Sequence, residues 1–183
     1  MLPQVAVMMG AEGPFFNLYS EGIWQLQLRS GTKCKIEVKT DYPLTGRIDI
    51  VVRPDRPDDF PLSLRVPAWS ADTAISVNGS STGDAHPGEY ATLKRRWKSG
   101  DRVRLEFDVR GRILRAGQYA AVMRGPVILA SDARLGAPSL ATQLESVTPP
   151  PGITMAFRSG LCDYASAGNT WDDRSRYRVW MPV

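Results

Sequence analysis

Between Pro61 and Ser131 short apolar runs alternate with turn residues again and again, and this rhythm limits the possible folds more than any other feature of the chain. Leu62, Leu64 and Val66 fall on one side of a run; Ile75-Ser-Val77 leads into Asn78-Gly79; Lys98-Ser-Gly-Asp101 separates Tyr90–Trp97 from the next apolar face, Val103, Leu105 and Phe107. The series continues through Ile113–Ala116, Ala120–Met123 and Val127–Ala130. A period of two, interrupted by residues that tolerate positive φ, argues for sheets packed as a sandwich or closed as a barrel. The predicted fold class is all-β: an antiparallel, jelly-roll-like β-sandwich with a Pro-rich extended connection and a C-terminal strand.

Upstream the same pattern holds. Cys34, Ile36 and Val38 point one way while Lys35, Glu37 and Lys39 point the other, and Arg47–Val52 repeats this after the Asp41–Gly46 turn. One apolar face and one polar face is the mark of half-buried antiparallel strands. Two prolines and three aspartates between Arg53 and Asp59 predict a loop, because proline removes a ladder donor. After Ser131 the composition changes, with Pro138 and then Pro149-Pro-Pro151. The expected organisation is a lead-in strand over 1–14, the sandwich over 15–131, a Pro-rich connection over 132–153 with a short helix around Leu140–Leu144, and a segment over 154–183 that returns to the sandwich. Its last strand is expected over Arg176–Trp180. No stretch has the period of a long amphipathic helix.

The 183 residues, 43% of them hydrophobic, suffice for a buried core. The net charge of +4 comes from scattered arginines, Arg47, Arg53, Arg65, Arg104 and Arg115 among them, and not from a dense block. Nucleic acid is therefore not expected as a partner. No apolar run approaches the ~20 residues needed to cross a bilayer, so no membrane partner is expected either. Met1–Gly10 lacks the charged and apolar regions of a signal peptide, and no compartment is assigned.

The residues that normally do chemistry are sparse. His86 is the single histidine and sits in the Gly83–Gly88 loop without a nucleophile nearby in sequence. Cys34 and Cys162 read as buried free thiols; a disulfide is allowed but nothing requires it, and two thiols alone do not make a tetrahedral zinc site. No metal or cofactor is expected. Asp163, Asp172 and Asp173 are the carboxylates clustered near aromatic residues, and turn capping explains them better than a glycosidase pair. Aromatic rings offer another route to sugars, since their faces meet pyranose C–H groups while polar neighbours direct hydrogen bonds. Trp171, Tyr164, Asp172 and Trp97 are the candidate carbohydrate-binding residues. For Trp24 and Trp180, inside strand runs, core packing is expected. The Lys94–Lys98 segment reads as a strand with its charges in water.

These landmarks resemble the C-terminal β-sandwich region of the β-L-arabinofuranosidase-like glycoside hydrolases of family 127 (the former DUF1680 group). The resemblance runs through Phe16-Asn-Leu-Tyr19, Thr40-Asp-Tyr-Pro43, Leu64–Trp69, Val77-Asn-Gly79, Tyr90 with Arg96-Trp97, Gly100-Asp101, Arg124-Gly-Pro126, Asp163–Gly168 with Trp171-Asp172, and Arg178-Val-Trp180. It covers the chain from about Phe15 onward. It implies a parent enzyme whose preceding (α/α)6 barrel holds a zinc-bound cysteine nucleophile, further cysteine and glutamate ligands, and an acid/base glutamate. This chain has no adjacent cysteine pair and no helices of that kind, so no catalytic residue carries over; Asn78-Gly79, Gly100-Asp101, Pro67 and Pro126 carry over as turn and strand-end determinants.

The expectation is a non-catalytic accessory sandwich that supports the catalytic barrel of the parent hydrolase and exposes an apolar patch toward it. The alternatives are an independent carbohydrate-binding module, and a structural sandwich that forms a homo-oligomer without ligand.

Overall fold

The computed structural model describes residues 5–83, 85–169 and 175–183. The chain divides into two compact units, Met1–Asp108 and Val109–Val183. The first contains β1 (Val7–Met9), β2 (Pro14–Phe16), β3 (Gly22–Gln27), β4 (Lys33–Thr40), β5 (Arg47–Pro54), β6 (Asp58–Arg65), β7 (Thr73–Val77), β8 (Ser80–Ser81), β9 (Tyr90–Trp97) and β10 (Asp101–Phe107). One sheet has the order β1-β2-β6-β9 and the other β3-β4-β5-β10-β7-β8. Every pairing within them is antiparallel except β2 with β6.

Strict alternation places one row of side chains from each sheet inside. Ile36 lies opposite Val52, Val38 opposite Ile50, Ile50 opposite Val103, and Ile48 opposite Leu105. All are buried, and they share one cluster with Phe16, Phe60, Leu62, Leu64 and Trp97 of the facing sheet. The result is the expected β-sandwich. Trp97 anchors it: the ring is fully buried, lies 5.8 Å from Phe60, and its Nε1–H donates to the Phe60 carbonyl at 2.9 Å.

Turn chemistry fixes the register. Asn78 and Gly79 have φ of 52° and 85°, as a two-residue hairpin loop between β7 and β8 requires. The Asn78 side chain donates to Asp101 Oδ1 at 2.9 Å and accepts from the Arg102 amide at 2.8 Å, tying this hairpin to β10. Gly46 stands where a Cβ would lie 2.1 Å from the Phe107 carbonyl oxygen, so only glycine lets these segments approach.

Among its described residues the second unit contains β11 (Gly111–Ala116), β12 (Tyr119–Arg124), β13 (Val127–Asp132), β14 (Ser146–Val147), β15 (Ala156–Phe157), β16 (Leu161–Asp163), β17 (Tyr177–Arg178) and β18 (Met181–Pro182), with a 3-10 turn at Ala133–Leu135 and a short α-helical turn, α1 (Tyr164–Ala167). β11 to β13 form a meander, onto which β16, β17 and β18 pair. Val122, Leu129, Phe157, Leu161 and Met181 form its main core.

Several expectations change. The division falls after Asp108, not after Ser131, because β12 and β13 take partners from the C-terminal strands. The Arg53–Asp59 loop shrinks: β5 extends to Pro54 and β6 begins at Asp58. Pro61 is accommodated inside β6 because β2 pairs only with Ser63 and Leu64, so the proline has a ladder partner on the β9 side alone. No helix forms over Leu140–Leu144; both leucines pack on the second core from irregular chain, and the helical turn lies instead at Ala133–Leu135. A five-residue stretch is too short to nucleate a helix by itself. Trp180, expected in the core, is 44% exposed at a bend between β17 and β18, while Trp24 packs against the first core as expected.

Trp97→Phe, which keeps the ring and removes the donor to Phe60, is expected to lower stability by about 1 kcal/mol. Trp97→Ala is expected to lower it by about 3–5 kcal/mol through cavity formation. Urea unfolding followed by fluorescence measures both.

Candidate functional site

The sequence candidates separate once placed in the fold. Trp97 presents no face to solvent, so it cannot stack on a sugar. The neighbouring cations point outward as expected: Arg96 pairs with Asp59 at 3.1 Å, and Arg95 reaches Asp101 at 3.7 Å while lying 5.2 Å from the Trp97 ring centroid.

In the second unit, Asp163 closes β16 and caps α1. Its Oδ1 accepts from the Met155 amide at 2.8 Å and from the Ser166 hydroxyl at 2.6 Å; its Oδ2 accepts from the Ser166 amide at 3.0 Å. A carboxylate used this way is a helix cap. Tyr164, the next residue, projects from the capped turn with 56% exposure. Trp171, Asp172 and Asp173 lie outside the described residues, so of this cluster Asp163 and Tyr164 are the ones placed together.

A second polar centre, not singled out from sequence, lies at the end of β13. Asp132 is 1% exposed and binds Arg134 with both oxygens, Nε–Oδ1 at 3.0 Å and Nη2–Oδ2 at 2.6 Å. Its Oδ1 also accepts from the Arg134 amide at 2.9 Å. The Arg134 hydrogen bonds hold this carboxyl below the usual carboxylate range, outweighing burial. Beside it, the Cys162 sulfur lies 4.0 Å from Oδ2. Burial first, then the negative charges of Asp132 and Asp163, push that thiol up to about 12. Burial likewise pushes Cys34 up to about 11. Both cysteines are free and buried, and burial favours the thiol over the thiolate in each. Asp132 also lines a cavity of about 740 Å³ with Leu140, Arg176, Tyr177, Arg178 and Met181. The sequence signal for this centre, an acidic residue two positions before an arginine in a turn, is too common to be informative.

His86 is exposed in its loop. Among the described residues no three His, Cys, Asp or Glu side chains are grouped so as to hold a metal ion.

Comparison with known proteins bears on the fold. Residues 15–109 match the family model described as β-L-arabinofuranosidase, GH127 middle domain. Among solved structures, one described as a glycoside hydrolase matches with a TM-score of 0.80 and 22% identity over 97% of this chain and 37% of its own. A GH127 β-L-arabinofuranosidase from Geobacillus stearothermophilus T6 matches with a TM-score of 0.73 and 23% identity, over 97% of this chain and 31% of its own. The GH127 β-arabinofuranosidase BT3674 matches with a TM-score of 0.79 and 22% identity, over 100% of this chain and 36% of its own. The chain thus spans about a third of the length of these structures, and at such identities the likeness is one of fold. No curated protein matches.

Because Asp132 is held ionised below the usual range, its pairing stabilises the fold above about pH 3.9, the value of a free aspartate, and that contribution is lost as pH falls through the depressed folded value. Arg134→Gln is therefore expected to cost on the order of 2 kcal/mol at neutral pH. The gap from the parent chain should close in strong acid; urea titrations at both pH values check this.

Proposed function

Since the chain belongs to the GH127 β-L-arabinofuranosidase middle-domain family, and so is a domain of a glycoside hydrolase-like protein, we propose that it is a non-catalytic accessory region that supports a separate catalytic barrel. The observation that carries this reading is the match to a middle domain within structures about three times longer than the chain. The side-chain chemistry agrees with it. The thiols are buried and protonated, and the carboxylates of Asp132 and Asp163 are tied to Arg134 and to the cap of α1. A surface suited to packing against another domain is present on the outer face of the four-stranded sheet. There Met8, 48% exposed, pairs across strands with Phe15, and the Phe15 ring meets the half-exposed Tyr90 ring edge-on at 5.5 Å. Apolar side chains gathered on an outer sheet face favour a neighbouring domain over water.

The purified chain is expected to show no turnover of an aryl β-L-arabinofuranoside above buffer, with or without added zinc. Turnover that copurifies with the chain would end this reading.

The exposure of Tyr164 on a rigid, capped turn favours a second reading, direct contact with carbohydrate. It predicts calorimetric heats with arabino-oligosaccharides that disappear in Tyr164→Ala. Absence of heat at millimolar sugar removes it.

A further inference from the structure

The outer face of the six-stranded sheet gathers charged side chains. A groove of about 390 Å³ crosses β4, β5, β10 and β7, and its walls hold five cations, Lys39, Arg47, Arg53, Arg102 and Arg104, against two carboxylates, Glu37 and Asp49. Pairing register explains the gathering. Lys39 lies opposite Asp49, Asp49 opposite Arg104, and Glu37 and Arg102 both lie opposite Val51. Neighbours across strands are about 4.8 Å apart, so the charges form rows running across the strands.

The carboxylates are shared. Asp49 takes Arg47 at 2.8 Å and Arg104 at 2.7 Å. Glu37 takes Lys39 at 3.7 Å and Arg53 at 3.9 Å. Arg102 has no carboxylate partner among the described residues. Each of the four paired cations keeps roughly half or more of its side chain exposed, 54% for Arg47, 45% for Arg104, 46% for Arg53 and 71% for Lys39. The acidic pair thus orients the guanidinium groups without neutralising the groove.

From this geometry we propose that the groove binds a carboxylated polysaccharide. The partner must be anionic to match the excess of cations. Guanidinium groups donate paired hydrogen bonds to a carboxylate, and several held in fixed positions suit a ligand that repeats its charge. Single-stranded nucleic acid needs stacking platforms, and no aromatic ring lines the groove. A protein interface needs a core poor in charge, whereas here Val51 is the one outward-facing apolar side chain within the groove. A linear acidic glycan, one chain wide, needs neither. The inference does not rest on the accessory role proposed above, and either can fail alone.

The test uses the whole chain and polygalacturonate as probe, in affinity electrophoresis and calorimetry. Polygalacturonate is expected to retard the chain at low ionic strength and neutral galactan to leave it unchanged, with binding weakening toward about 0.15 M salt. Arg53→Gln combined with Arg102→Gln is expected to weaken binding about fivefold, as loss of two exposed charge contacts implies, with an unchanged melting temperature. Arg96→Gln, on the other sheet, is expected to bind like the parent chain. The proposal is overturned if polygalacturonate does not retard the chain, if the Arg96 variant loses as much as the double variant, if dextran sulfate alone binds, or if duplex DNA or polyglutamate binds more tightly.

Discussion

The N-terminal sandwich depends on the meeting of two inward rows of side chains, one from each sheet. Ile36, Val38, Ile50, Val52, Val103 and Leu105 come from the six-stranded sheet; Phe16, Phe60, Leu62, Leu64 and Trp97 come from its partner. Each row exists because β-strands send alternate side chains to opposite faces, so a single-residue slip would turn a whole strand inside out. The turns guard against that slip. Asn78-Gly79 sets the β7–β8 register, and the Asn78 amide then locks that hairpin to Asp101 and Arg102 of β10. Trp97 adds a direct tie within the four-stranded sheet through the Phe60 carbonyl.

The same alternation that buries one row exposes the other, and this is how the scaffold acquires surfaces with distinct chemistry. Behind the aliphatic row of β4, β5 and β10 stands a basic groove; behind Phe16 and Leu64 of the other sheet stands an apolar row with Met8 and Phe15. Among the described residues, Asp163 caps a helical turn, Asp132 holds Arg134, and both thiols are buried.

The sequence made the first unit largely legible because its strands alternate strictly and its hairpins carry residues that favour positive φ. Cys34–Val38 and Val103–Phe107 are readable for that reason. The second unit was harder to read. Its C-terminal strands are two or three residues long, too short to display a period, and Leu140 and Leu144 mimic a helix while packing from irregular chain. The centre at Asp132, Arg134 and Cys162 was invisible, since the cysteine joins the aspartate across a strand pairing, thirty residues away in sequence.

What the sequence alone determined is the β-sandwich and its resemblance to the sheet region of family 127 hydrolases, because alternation and turn residues are local properties written into the chain. Tertiary structure decided where charge gathers. Arg47, Arg53 and Arg104 look scattered along the chain, yet antiparallel pairing of β5 with β10 lays them, with Arg102, on one face of one sheet. It also decided that Trp97 is core and Trp180 surface, because burial depends on which neighbours the completed sheets supply and not on the residue itself.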